Sequence, residues 1–461
     1  MGVDGEKHPM MAMMKAAQGK TRMHMPGHKG RGMKWLSVAM DMTELKDTDD
    51  LFAASSGIDK AQRAMAASAS AGATIMLTGG STSGMIAMLL SAAGPDEAVI
   101  MHRGVHHSAV SGCILGGIKP IWVGEELDGQ QMPALREEAV LKAISSHPEA
   151  RAVLVTRPDY YGRVMPLQKI VAAAHEKGML VLVDEAHGAH FNWWDEPAGA
   201  AKLGADYWIQ SAHKTLGALT PGAWLHMRDA EWLEHTRDRL RLVHTSSPSF
   251  LVMTSLDETR AWMDENGERA LKRLAEWAQA LRSRVEAMPG LRDAAREFEA
   301  YDPTRVVIDV SGRGLTGWRA QAAMSGMGVE VEMADHRRVV AILSVHDRKE
   351  DIERLGDALW ALPFEMGGVR NAASPVFSQA AMSPRQAALG KVKKVPFDQA
   401  AGCVCARSVG LYPPGIAWMA PGDRISRMQV SSMRRAMEAG GTPFGLAEQG
   451  QIWIVDEAKT E

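Results

Sequence analysis

The sequence predicts an α/β fold: a doubly wound, mostly parallel sheet with helices on both faces, followed by a smaller C-terminal α/β region. Three observations predict it. Short apolar runs alternate with segments of helical composition between about residues 70 and 230, the pattern of repeated strand–helix–strand units. Most of those runs are continuously apolar rather than alternating, as strands buried on both faces must be. The chain is 461 residues long, about three times the ~150 residues of a typical domain, so two or three packed units are expected.

Taken in order, the expected strands are 74–77, 98–101, 119–123, 152–155 and 179–183, with weaker ones at 206–209 and 223–227. The segment from Pro166 to Lys177 has helical composition and ends at Gly178, a helix stop. After Met227 the pattern changes. Residues 258–288 read as one long charged helix closed by Pro289-Gly290, a bridge rather than a sheet unit. Beyond it, strands are expected at 304–310, 329–333 and 339–345 and helices at 315–327 and 350–362, which makes a small α/β domain. A stretch with Gly, Pro and Ser near 366–376 leads to a C-terminal unit that opens with Ser383 as helix cap and Pro384 behind it. The expected division is an N-terminal arm (1–50), a large domain (51–288), a small α/β domain (289–368) and a C-terminal domain (369–461). There is no internal repeat and no low-complexity tract.

Composition excludes several classes. Hydrophobic residues are 46% and charged residues 23%, globular values far from those of disordered chains. Lys plus Arg number 52 against 55 Asp plus Glu, a net of −3 with no like-charge block, so nucleic acid is not an expected partner. The first twenty residues lack the apolar stretch of a secretory signal, and no window has the ~18 uncharged apolar residues of a membrane span. Cys113, Cys403 and Cys405 are too few for a disulfide framework or a four-ligand zinc site, which fits a reducing cytoplasm. His24 and His28 are separated by Pro26-Gly27, which breaks any helix, and no carboxylate cluster accompanies them, so no metal is expected.

In an open α/β sheet ligands sit beyond the carboxyl ends of the strands, and three segments there carry chemistry. Thr78-Gly79-Gly80-Ser81-Thr82-Ser83-Gly84 lies between a strand and a helix. Its glycines let backbone N–H groups approach an anion, its hydroxyls add donors, and the helix start adds partial positive charge. It lacks the lysine of a nucleotide P-loop. Asp184-Glu185-Ala186-His187 ends the fifth strand. The same four letters describe a helicase motif, but Gly19-Lys20-Thr21 fails as its P-loop because position 14 is Met and no strand precedes it. A carboxylate there can instead hold the protonated ring nitrogen of a vitamin B6 cofactor and keep the ring an electron sink. Ser211-Ala212-His213-Lys214 follows the sixth strand, and a lysine in a desolvated pocket has the lowered pKa that covalent attachment needs. Phosphate cup, acid and lysine in this chain order fit pyridoxal 5'-phosphate.

With these segments in hand, the chain resembles the major-domain family of bacterial ornithine, lysine and arginine decarboxylases, in the short form without a receiver-like N-terminal domain. The resemblance covers nearly the whole chain. It rests also on His24-Met25-Pro26-Gly27-His28-Lys29-Gly30, Asp41-Met42-Thr43-Glu44-Leu45 with Thr48-Asp49-Asp50-Leu51, His244-Thr245-Ser246-Ser247-Pro248-Ser249-Phe250, Tyr412-Pro413-Pro414-Gly415-Ile416 and Pro421-Gly422-Asp423. It implies a large domain of the pyridoxal phosphate-dependent transferase type, the aspartate aminotransferase fold (fold type I).

By position, the resemblance implies that Lys214 carries the cofactor, that Asp184 is the ring-nitrogen partner and that His106 stacks on the ring face. Ser81, Thr82 and Ser211 are implied phosphate ligands, Ser246 or Ser247 reaches the phosphate from a neighbouring subunit, and His187 and His213 line the pocket. The implied reaction is loss of CO₂ from lysine, arginine or ornithine, giving a diamine or agmatine, with Lys214 or His213 returning a proton to Cα. A lyase of polyamine biosynthesis, cytoplasmic and at least a homodimer with shared sites, is the implied setting. Asp423 stands where the family usually has glutamate and is the candidate partner of the substrate's distal cation. Thr78-Gly79-Gly80, Met85 and Cys403 also depart from the usual pattern, and Met85 falls beside the expected cofactor. The same cup, acid and lysine serve aminotransferases and other lyases, and a non-catalytic homologue would keep them; on sequence these alternatives stay open.

Overall fold

The computed structural model describes residues 21–24, 29, 41–44, 48–124, 126–127, 133–366, 375–412 and 415–457. Most of the expected N-terminal arm, including His28 and the Pro26-Gly27 step, lies outside the described residues, as do Pro413 and Pro414.

The central sheet has seven strands, labelled here β1 (Ala73–Leu77), β2 (Ala98–His102), β3 (Lys119–Val123), β4 (Ala152–Thr156), β5 (Leu180–Asp184), β6 (Tyr207–Gln210) and β7 (Ala223–Met227). Their spatial order is β1-β7-β6-β5-β4-β2-β3. Strands β2 to β6 run parallel to their neighbours, whereas β7 runs antiparallel to both β1 and β6. All seven expected strands form, the two weak ones included, because each of them is buried along its whole length. The carboxyl ends of β5 and β6 lie side by side, with Asp184 in register with Ile209.

Helix Gly80–Ala92 follows β1 and buries nine of its thirteen residues, which is why its central run Met85–Leu90 is continuously apolar rather than striped. It seats closely through Gly84: a Cβ there would stand 2.3 Å from Ile209 Cδ1 and 2.5 Å from Leu77 Cδ1. The long helix is Phe250–Glu286, 37 residues. It begins eight residues before the expected start because Ser249 Oγ accepts the Val252 N–H at 3.4 Å and caps it there. Its first half packs Leu256 and Met263 into the main core. The second half packs Leu274, Leu281 and Val285 into a second core with the strands that follow, so the helix spans both.

That second core backs a four-stranded antiparallel sheet whose longest strands are Arg305–Asp309 and Arg338–Ile342. The single strand expected over 329–333 is split at Glu332: Val329–Val331 pairs in parallel with Thr21–Met23, while Met333–Ala334 pairs with Arg338–Ile342. A third core, including Phe397, Trp418, Met433 and Ile454, belongs to the C-terminal region. Helix Pro384–Leu389 opens it with the expected Ser383 cap, completed by Gln386 in a reciprocal capping box.

Candidate active site

Lys214 lies in the short helix Ala212–Thr215 immediately after β6. Its Nζ is 3.1 Å from His187 Nε2, and His187 sits in the turn that follows β5. Burial lowers the Lys214 pKa, and Arg305 adds to the effect while Asp184 and Glu332 oppose it. Asp184, the last residue of β5, is 6% exposed and accepts the Ala186 N–H at 3.1 Å. Burial raises its pKa, against the pull of Lys214 and of that N–H. Lys214, Asp184, His187, His106, Ser81 and Met85 line one small, largely enclosed cavity. Three strand ends and the start of a helix thus meet at one point, as the topology requires.

The glycine loop follows β1, and its Gly80 adopts φ +74° as the chain turns into the helix. His244 Nε2 accepts the N–H groups of Thr78 and Gly79 at 3.1 and 3.2 Å. That leaves the first-turn N–H groups of helix Gly80–Ala92 facing outward as donors. Ser81 lines the cavity, and Thr82 stands exposed at the next position of the same turn. His106 caps helix His107–Gly116, its Nδ1 accepting the Ser108 N–H at 3.2 Å. The cap fixes the ring, and burial, with smaller effects from His107 and Lys214, pushes its pKa down to about 3. His106 is therefore a neutral ring held at the cavity wall.

Ser211 is fully buried, and its hydroxyl has no hydrogen-bond partner among the described residues. His213 is buried beside Lys214, with Nδ1 2.8 Å from the Gly222 carbonyl. A carbonyl only accepts, so Nδ1 carries a proton. Ser246 and Ser247 are exposed and outside the cavity lining in this chain.

Asp423, the expected partner of the substrate's distal cation, is not among the residues that line this cavity. It is 1% exposed, and its Oδ2 lies 2.5 Å from Arg103 NH2 and 2.9 Å from the Ala420 N–H. The Arg103 guanidinium lies over the rings of Trp122 and Phe377, at 4.7 and 5.3 Å. Oδ2 thus joins the C-terminal region to the end of β2, while Oδ1 has no hydrogen-bond partner among the described residues.

Sequence reasoning missed two residues. Tyr160 lines the cavity, its ring 5.0 Å from that of His187; it follows the end of β4 and could have been found by the same strand-end rule. Arg305, at the start of its strand, reaches His187 Nδ1 from behind at 3.2 Å. Its only local signal was an arginine opening an apolar run. Among the described residues no group of three or more His, Cys, Asp or Glu side chains is arranged to hold a metal, and no helix is long and apolar enough to cross a membrane.

Comparison with known proteins follows the same lines. Sequence profiles match "Orn/Lys/Arg decarboxylase, major domain" over residues 10–291 and "Orn/Lys/Arg decarboxylase, C-terminal domain" over 369–444. An arginine decarboxylase of Bacillus anthracis is 30% identical over 443 residues, 90% of each chain. An arginine decarboxylase of Bacillus subtilis (strain 168) is 30% identical over 451 residues, 92% of each chain. Among solved structures, lysine decarboxylase A from Pseudomonas aeruginosa superposes with a TM-score of 0.74 at 16% identity, covering 98% of this chain and 82% of that one; it shares the fold.

Proposed function

Because the chain belongs to the Orn/Lys/Arg decarboxylase family, and is a decarboxylase of basic amino acids, we propose that it removes the α-carboxylate of arginine as CO₂, leaving agmatine, with pyridoxal phosphate carried at Lys214. The observation that carries this is the enclosed convergence of Lys214, Asp184, His106 and Ser81. Relatives named arginine decarboxylase over about nine-tenths of the chain favour arginine above lysine and ornithine.

The residues fit the cofactor. A flat ring with a basic nitrogen, an aldehyde and a phosphate needs an acid, an amine and a cup of donors. Asp184 and Lys214 are the first two. Ser81, Thr82, Ser211 and the helix start make the third, and the buried Ser211 hydroxyl is a donor that no described residue uses. When bound, the group supplies a sink for the electrons left at Cα as CO₂ departs.

The chain's own residues do the rest. Burial lowers the Lys214 pKa and so favours its neutral, nucleophilic form. Asp184 holds the ring nitrogen's proton. His106, neutral and capped in place, packs on the ring without adding charge. Enclosure excludes water and strengthens each of these interactions. The proton that replaces CO₂ at Cα comes from Lys214 or His213, the two proton-bearing groups that stand side by side after β6. Ser246 and Ser247 are free to serve the phosphate cup of a second copy in a homodimer, and a cytoplasmic role in polyamine formation accords with the product.

The test is release of labelled CO₂ from carboxyl-labelled arginine, lysine and ornithine by the purified chain. The expected result is the highest kcat/KM for arginine. A higher value for lysine or ornithine refutes the choice of substrate, and no CO₂ from any of the three refutes the activity.

A further inference from the structure

Three groups stand in line from the cavity wall inward. Lys214 Nζ is 3.1 Å from His187 Nε2, and His187 Nδ1 is 3.2 Å from Arg305 NH2. Arg305 is 1% exposed, and its Nε and NH1 have no hydrogen-bond partner among the described residues. A buried guanidinium with two nitrogens lacking a hydrogen-bond partner is costly, and Asp302, Glu332 and Asp159 offset that cost only through their charge. Packing does not account for the arginine.

The line has a direction. A guanidinium has no lone pair, so His187 Nδ1 is the acceptor. In a neutral imidazole the proton is then on Nε2, which donates toward Lys214, and that contact needs a lone pair on Nζ. We propose that Arg305 is a positioning residue that fixes His187 as its Nε2–H tautomer and thereby presents Lys214 as a neutral amine.

The surrounding charges are consistent with this. His187 is held well below its ordinary pKa by burial first, then by Lys214, Arg305, His106 and His213. The groups acting on Lys214 are Asp184 and Glu332, which favour its charge, and Arg305, which with burial opposes it. Tyr160, packed on His187, keeps its proton, its pKa raised by burial and by Asp184, Glu332 and Tyr412. Every anion nearby favours a charged lysine, so the neutral amine depends on burial and on the charge of Arg305.

The inference deepens the assignment of Lys214 as cofactor lysine, and its test is made on the full chain stripped of cofactor so that the two can fail separately. In ¹⁵N-histidine-labelled protein, the His187 signals are identified by their loss in His187→Gln. The expected wild-type result is an unprotonated Nδ1 and a protonated Nε2 throughout neutral pH. In Arg305→Met the tautomers mix, and the rate at which Lys214 condenses with pyridoxal at neutral pH falls about tenfold. A proton on Nδ1 in the wild type overturns the inference even if no variant folds, and so does an Arg305→Met chain with unaltered tautomer and condensation rate.

Discussion

Removing the charge of Asp423 separates two roles that the sequence left together. The ion pair with Arg103 has side chains 4% and 1% exposed, so solvent screens it little. With about 4 Å between charge centres and an effective dielectric near 20, the attraction is ~4 kcal/mol, in line with the ~3–5 kcal/mol lost when one member of a buried pair is removed. Asp423→Asn can still accept the Ala420 N–H, so it isolates the charge; Asp423→Ala also leaves that N–H unpaired and costs about 1 kcal/mol more. Exchanging both members for apolar residues, Arg103→Met with Asp423→Leu, leaves no orphan charge between Trp122 and Phe377 and is expected to recover most of the loss. The assay is urea unfolding followed by circular dichroism, paired with arginine kinetics. The account expects a lower urea midpoint for each single variant, a near-normal midpoint for the double variant and a KM within about twofold of wild type, a difference of ~0.4 kcal/mol. A normal midpoint with a KM raised tenfold or more, ~1.4 kcal/mol, would refute the reasoning and return Asp423 to the substrate.

Other outcomes follow from the same geometry. Asp184→Asn is expected to retain cofactor absorbance but lose about a hundredfold or more in kcat, ~2.7 kcal/mol of barrier; near-normal turnover would count against Asp184 as the ring partner. Gly84→Val adds three carbons where even a Cβ would meet Ile209 and Leu77, so a loss of about 3 kcal/mol should appear as a lower urea midpoint. His106 and His226 both have pKa values pushed down to about 3 by burial, from an ordinary 6.5. The unfolded chain therefore binds more protons than the folded one between those values, and stability present above pH 6.5 is lost as pH falls toward 3, by up to ~1.4 kcal/mol per pH unit for each. Urea midpoints measured from neutral pH downward should fall with acid, and His226→Gln should make the fall shallower; a flat profile would contradict the burial argument.

Much of the fold was legible because the strands of a sheet covered on both faces are continuously apolar, and β1 to β5 declare themselves in that way. The site was legible for a related reason: Ser81, Asp184 and Lys214 each lie within a few residues of a strand end. What the sequence hid were the contacts made across the chain. Asp423 lies in a loop whose acid looked free, and only the fold brings Arg103 to it from 320 positions away. Arg305 is likewise 118 positions from His187, and no local pattern links them. The break of the expected strand at Glu332 was hidden too, since its partner strand Thr21–Met23 comes from the far end of the chain.

The central claim is that Lys214 carries the cofactor. Reducing the purified, cofactor-loaded chain with borohydride fixes the linkage, and mass spectrometry of its peptides then locates the phosphopyridoxyl group. The account predicts the adduct on Lys214, and its absence from every peptide of Lys214→Ala. An adduct on another lysine, or none on the wild-type chain, would contradict it.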